Sequence, residues 1–112
     1  MELQSEELAN DITQVALIGA LDLAGTEEIG LKLNVLAGSR KRLLMDMTGL
    51  TFLSSMGIRS LITVAKTVTR RGGKVVLLKP IAAVEKVLVT TGCDSMMPIH
   101  HDQGAALAEF AV

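Results

Sequence analysis

Residues 42–70 read RLLMDMTGLTFLSSMGIRSLITVAKTVTR, and a change of apolar period inside this stretch sets the architecture. Residues 42–47 are a run of strand length dominated by Leu and Met, and Thr48 and Gly49 after them are turn residues. From Ile58 the period changes: Ile58, Leu61, Ile62, Ala65 and Val68 recur at helical spacing, with Arg59, Lys66 and Arg70 on other faces. RRGGK (70–74) closes this helix, its basic residues complementing the negative end of the dipole, and VVLLK (75–79) is a second buried strand. A strand, an amphipathic helix and a second strand in succession make a βαβ unit, whose strands run parallel through a right-handed crossover.

On the N-terminal side of this unit, residues 2–8 read as an edge strand, Asn10 and Asp11 as turn residues, and ITQVALIG (12–19) as a more buried strand, so the two form a hairpin. GTEEIGLKLNVLAGS (25–39) carries both periods, since Ile29, Leu31, Leu33 and Val35 alternate while Ile29, Leu33 and Leu36 keep helical spacing. Thr26 as a cap, Glu27 and Glu28 in a first turn, and Gly38 near the end favour the helix. Downstream, Pro80 opens IAAVEKVLVTTG, whose Ile81, Val84, Val87 and Leu88 share one face and which Gly92 ends. MMPIH (96–100) reads as a short last strand weakened by Pro98, and DQGAALAEFAV (102–112) as a terminal helix with Ala106, Leu107 and Phe110 turned inward. The order ββαβαβα(β)α predicts an α/β fold: one domain over 1–112, with a mixed, mostly parallel sheet of four to five strands flanked by about four helices.

Bulk properties narrow the function. A chain of 112 residues that is 49% hydrophobic suits one compact domain. Eleven basic and twelve acidic residues leave a net charge of −1, and aromatic content is 2%, which argues against nucleic acid as a partner. The acidic opening MELQSEELAND is no signal peptide, and the apolar stretch VALIGALDLAG is interrupted by Asp22, so no membrane span and a cytoplasmic location are expected. The single Cys93 forms no internal disulfide, in keeping with a reducing compartment.

Ser54 and Ser55 therefore fall between a strand and the start of a helix, where unpaired backbone N–H groups and the positive dipole end favour an anion. A serine at that place is a candidate phosphoacceptor, but N-cap serines are common and the local sequence by itself favours an ordinary N-cap while leaving both open. Asp22 is open in the same way, as a partner contact or as a turn or capping residue. Met56 reads as an exposed contact, whereas Met45, Met47, Met96 and Met97 read as core filler. His100, His101 and Asp102 lack the spacing of a metal site, and RRGGK lacks the full P-loop pattern, so neither a metal nor a cofactor is expected.

The stretch from Leu43 to Gly92 resembles the central portion of a STAS domain of the anti-sigma-factor antagonist family, and the likeness extends more weakly over nearly the whole chain. GALDLAG (19–25) is similar to that family's Gly-x-Leu-Asp element, Asp46 to the acid ending the central strand, and Thr48-Gly49-Leu50 to the turn after it. Gly57 is similar to the glycine that opens the helix, and TTGCDSMMPIH to the late turn and final strand. The family's switch reads Asp-Ser-x-Gly with the serine as phosphoacceptor. Placed on this chain, the resemblance implies Ser55 as acceptor, with Ser54 in the acidic position and as second choice. It also implies a partner-binding face of Asp22, Ser54, Met56, Gly57 and Arg59.

The function implied is that of an anti-sigma-factor antagonist in bacterial transcription regulation, a partner-switching phosphoprotein and not an enzyme. Unphosphorylated, it would bind an anti-sigma factor that is also a serine kinase of the histidine-kinase-like ATPase fold and so release the sigma factor. A phosphate on Ser55 would break that contact, and a metal-dependent serine phosphatase would restore it. Two alternatives stand beside this: a STAS scaffold subunit of a sensing or lipid-transport complex without a phosphoswitch, and a serine hydrolase using Ser55. The hydrolase elbow would require glycine where Leu53 stands.

Overall fold

In a computed structural model describing residues 1–111, the chain is a six-stranded sheet with three helices on one face and one on the other. Val112, the last residue of the terminal helix read from the sequence, lies outside the described residues.

Strand β1 (Glu2–Glu7) forms the edge and pairs antiparallel with β2 (Thr13–Leu21). The turn between them works through Asn10 and Asp11, which hold left-handed backbone angles, φ 62° and 59°, that these residue types tolerate best after glycine. Helix α1 (Leu23–Ser39) crosses to β3 (Arg42–Asp46), which pairs parallel with β2 and with β5 (Lys74–Leu78). Beyond β5, β6 (Ile99–His100) adds the other parallel edge.

The expected α/β architecture is the observed one, with two differences that bear on the site. The sequence reading has no strand between residue 47 and the second helix, yet Leu50–Leu53 form β4, which rejoins β2 in parallel further along. Asp46 stands opposite Ala16 while Leu50 stands opposite Gly19, so four steps on one side match three on the other, and a further register shift falls where Leu50 and Phe52 stand opposite the adjacent Gly19 and Ala20. Gly49 sits tightly there: a Cβ would come 3.2 Å from the Ile18 side chain, which would have to give slightly. Second, α1 begins three residues before Thr26. Its cap is Asp22, and Thr26 lies inside the first turn, donating its hydroxyl to the Asp22 carbonyl at 2.7 Å.

Helix α2 (Ser55–Arg70) is the amphipathic helix read from the sequence; it buries Leu61, Val64, Ala65 and Val68 against the sheet and beside α1. Helix α3 (Ala82–Thr90) buries Val84 and Leu88 on the same side, but Ile81 stands before the helix and is exposed rather than on its inner face. Gly92, at φ 79°, ends it in the left-handed conformation that favours glycine. The opposite face of the sheet is covered by α4 (Gln103–Ala108) and the short turn Glu109–Ala111, where Ala106 and Phe110 meet Ile12, Leu44, Val76 and Leu78. Met45, Met47 and Met97 are core residues as expected; Met96 is exposed. No helix among the described residues is long and apolar enough to cross a membrane.

Candidate functional site

Because β2 and β4 run parallel and Leu21 pairs with Leu53, the chain leaves both strands at the same sheet end and passes into α1 and α2 side by side. The two helix starts are built alike. Asp22 caps α1 by accepting the Gly25 N–H on Oδ1 at 2.7 Å, and Ser54 caps α2 by accepting the Gly57 N–H on Oγ at 3.1 Å. The glycine three residues after each cap lets the helix start press on the backbone of β2. A Cβ on Gly25 would lie 2.2 Å from the Ala20 carbonyl oxygen, and one on Gly57 2.7 Å from that of Leu21.

This arrangement separates the two serines. The Ser54 hydroxyl is half-buried and fully engaged, donating to the Leu21 carbonyl at 2.7 Å while it accepts from Gly57. Its backbone N–H also donates to Leu21, at 3.0 Å. Ser55 is the first helical residue, exposed, and its hydroxyl makes no hydrogen bond with any described residue. The capping role left open in the sequence therefore falls to Ser54, and Ser55 is the hydroxyl turned to solvent at the positive end of a 16-residue helix.

The other expected contacts divide the same way. Met56 is 42% exposed beside Ser55, and Arg59, one helical turn beyond it, is exposed. Gly57 is buried beneath α2, so it shapes the helix start rather than presenting surface to a partner. Asp22 is exposed but its carboxylate serves the α1 cap. Two exposed apolar residues not named from the sequence lie near this sheet end: Leu23, the first residue of α1 and 57% exposed, and Phe52 in β4, 53% exposed. Leu23 follows its cap as Ser55 follows Ser54, but only the pairing of β2 with β4 brings those starts together.

His100 and His101 have separate partners: the His100 ring is 2.9 Å from Glu109 Oε1 and the His101 ring 2.8 Å from Glu85 Oε1. Among the described residues neither ring is hydrogen-bonded to Ser55, and no group of three acidic, His or Cys side chains is placed to hold a metal.

The family model of the STAS domain matches residues 5–106, and the chain belongs to that family. Solved structures agree at the level of the fold. An anti-sigma factor antagonist from Mycobacterium paratuberculosis superposes with a TM-score of 0.84 at 20% identity, covering 96% of this chain and 92% of that one. A STAS domain protein from Planctomyces limnophilus gives 0.84 at 21% identity, with 96% and 95% covered. The Bacillus cell fate determinant SpoIIAA in its phosphorylated form gives 0.71 at 22%, with 93% and 96% covered. Among proteins with curated functions none matches this sequence.

Proposed function

We propose that this STAS domain is an anti-sigma-factor antagonist whose binding is switched by phosphorylation of Ser55. The observation that carries the reading is the division of labour at the α2 start: Ser54 is locked into the cap while the neighbouring Ser55 hydroxyl stands free and exposed. Fold likeness to anti-sigma factor antagonists supports the partner class. The departure from the family's Asp-Ser pattern is physically mild, because serine and aspartate are comparable N-caps, so Ser54 keeps the helix start that presents Ser55.

In the unphosphorylated state Ser55, with the exposed Met56 beside it and Leu23 at the neighbouring helix start, docks on an anti-sigma factor that is also a serine kinase of the histidine-kinase-like ATPase fold. Phosphorylation adds nearly two negative charges to Ser55. The dipole of α2 and the Arg59 cation one turn away stabilise the dianion on the free protein, while its tightly held water opposes return to an apolar contact. Loss of ~3 kcal/mol is about a hundredfold in affinity, enough to switch partners without refolding. A metal-dependent serine phosphatase removes the phosphate and resets the cycle. The domain is a substrate and a binding module in this scheme, and the catalytic residues belong to its partners.

Phosphopeptide mapping after incubation with ATP and the cognate kinase tests the assignment. Phosphate is expected on Ser55 and absent from Ser54; modification of Ser54, or undiminished labelling of Ser55→Ala, would overturn it.

A further inference from the structure

We propose that the opposite end of the sheet is a second docking surface, one that takes an acidic segment of a protein partner independently of Ser55. Parallel strands send the residues before β3 and those before β5 to the same end. There the fold joins two basic runs, Arg40 to Arg42 and Arg70 to Lys74. They touch through the backbone: the Lys74 N–H donates to the Lys41 carbonyl at 2.7 Å, and Gly73 lies so close that a Cβ would come 2.3 Å from that oxygen. Six of the eleven basic residues of the chain gather here: Arg40, Lys41, Arg42, Arg70, Arg71 and Lys74.

Only the outer two are neutralised. Arg40 pairs with Glu7 at 3.0 Å and Lys74 with Glu109 at 2.8 Å, while Lys41, Arg42, Arg70 and Arg71 form no ion pair among the described residues. Two of these four are held in place. Arg71 donates to the carbonyls of Ala37 and Arg40 at 3.1 Å each, closing the end of α1, and Arg42 donates to the Asn10 carbonyl at 3.0 Å. Lys41 is exposed on the groove side, whereas Arg70 is exposed outside both grooves, in a hollow it shares with Lys66.

The shape selects among anionic partners. Lys41 and Arg42 form the shared wall of two neighbouring grooves, of about 670 Å³ and about 370 Å³, the first floored toward the Asn10 turn and the second toward Phe110. Concave, adjoining grooves accept an extended chain and not a plane of lipid headgroups. Phe110 is buried and offers no stacking face, and Glu7, Asp11 and Glu109 on the groove walls oppose a continuous line of phosphates while leaving room for spaced carboxylates. Thr13 pairs with Leu43 at this end and Leu21 with Leu53 at the other, eight strand steps or about 26 Å away, so the two faces do not compete.

Fluorescence anisotropy with a labelled peptide of alternating Asp, Glu and Gly residues, and with its Asn and Gln counterpart, tests this on the full chain. The acidic peptide alone is expected to bind, more weakly as salt rises. Lys41→Glu with Arg42→Glu should lose more than tenfold in affinity and the milder Lys41→Gln with Arg42→Gln at least threefold, whereas Lys32→Glu with Lys86→Glu and Ser55→Asp should bind as the parent does. No binding of the acidic peptide, an equal loss in the Lys32 and Lys86 control, or tighter binding to phosphatidylglycerol-containing vesicles or to oligouridylate would overturn the proposal.

Discussion

Ser54 and Ser55 are the same side chain one residue apart, and the start of α2 makes them chemically different. Ser54 spends both its donor and its acceptor on the fold. Ser54→Ala is therefore expected to lower stability by about 1–2 kcal/mol, as removal of an N-cap generally does, and calorimetry should show a melting temperature several degrees lower while Ser55 is still phosphorylated. Ser55→Ala should melt as the parent and accept no phosphate. Gly57→Ala drives a methyl toward the Leu21 carbonyl, 2.7 Å away, and should cost about 1–3 kcal/mol by displacing the helix start, with slower phosphorylation following from it. The sequence singles out both serines as candidates, through their place before a helix and through the resemblance, but not their division of labour. An N-cap is defined by which hydroxyl reaches a backbone N–H, and two adjacent serines offer that geometry equally until β4 fixes where the chain joins the helix.

Among the elements, what could be read depended on how local the cause of each one is. Helix α2 carries its own reason in a regular apolar stripe, and it came out of the sequence with its glycine-rich stop. Helix α1 does not, because Leu31 and Val35 are 79% and 60% exposed and blur its periodicity, and its cap at Asp22 sits in a stretch that also reads as a turn. Strand β4 is short and is defined by its pairing with a segment much earlier in the chain, which no local pattern announces. A pH dependence belongs to the last elements. Lys74 first, then His100, hold the Glu109 carboxyl below its ordinary value of 4.5 by hydrogen bonding, and this cluster ties the chain after α4 to β5 and β6. A carboxylate whose folded value is depressed stabilises the fold above its unfolded value and loses that contribution as pH falls through the folded one. Acid titration followed by circular dichroism should thus show stability falling from about pH 4.5 downward, with a shallower fall in Glu109→Gln; an unchanged profile in that variant would show that the cluster contributes nothing.

At the scale of the whole molecule, the sheet separates two ends of different character. Parallel strands collect the helix starts, with their apolar and hydroxyl side chains, at one end and the basic runs at the other. The proposed switch would ask little of the core in between: a dianion on an exposed side chain at a helix N-terminus does not disturb packing. Ser55→Asp is accordingly expected to keep its melting temperature within a degree or two while losing partner affinity, which separates loss of docking from loss of fold. The decisive comparison is isothermal titration of the cognate kinase with the unmodified protein and with protein phosphorylated stoichiometrically on Ser55. Affinity should fall about a hundredfold on phosphorylation with both forms equally folded. Equal affinities for the two forms would contradict the phosphoswitch.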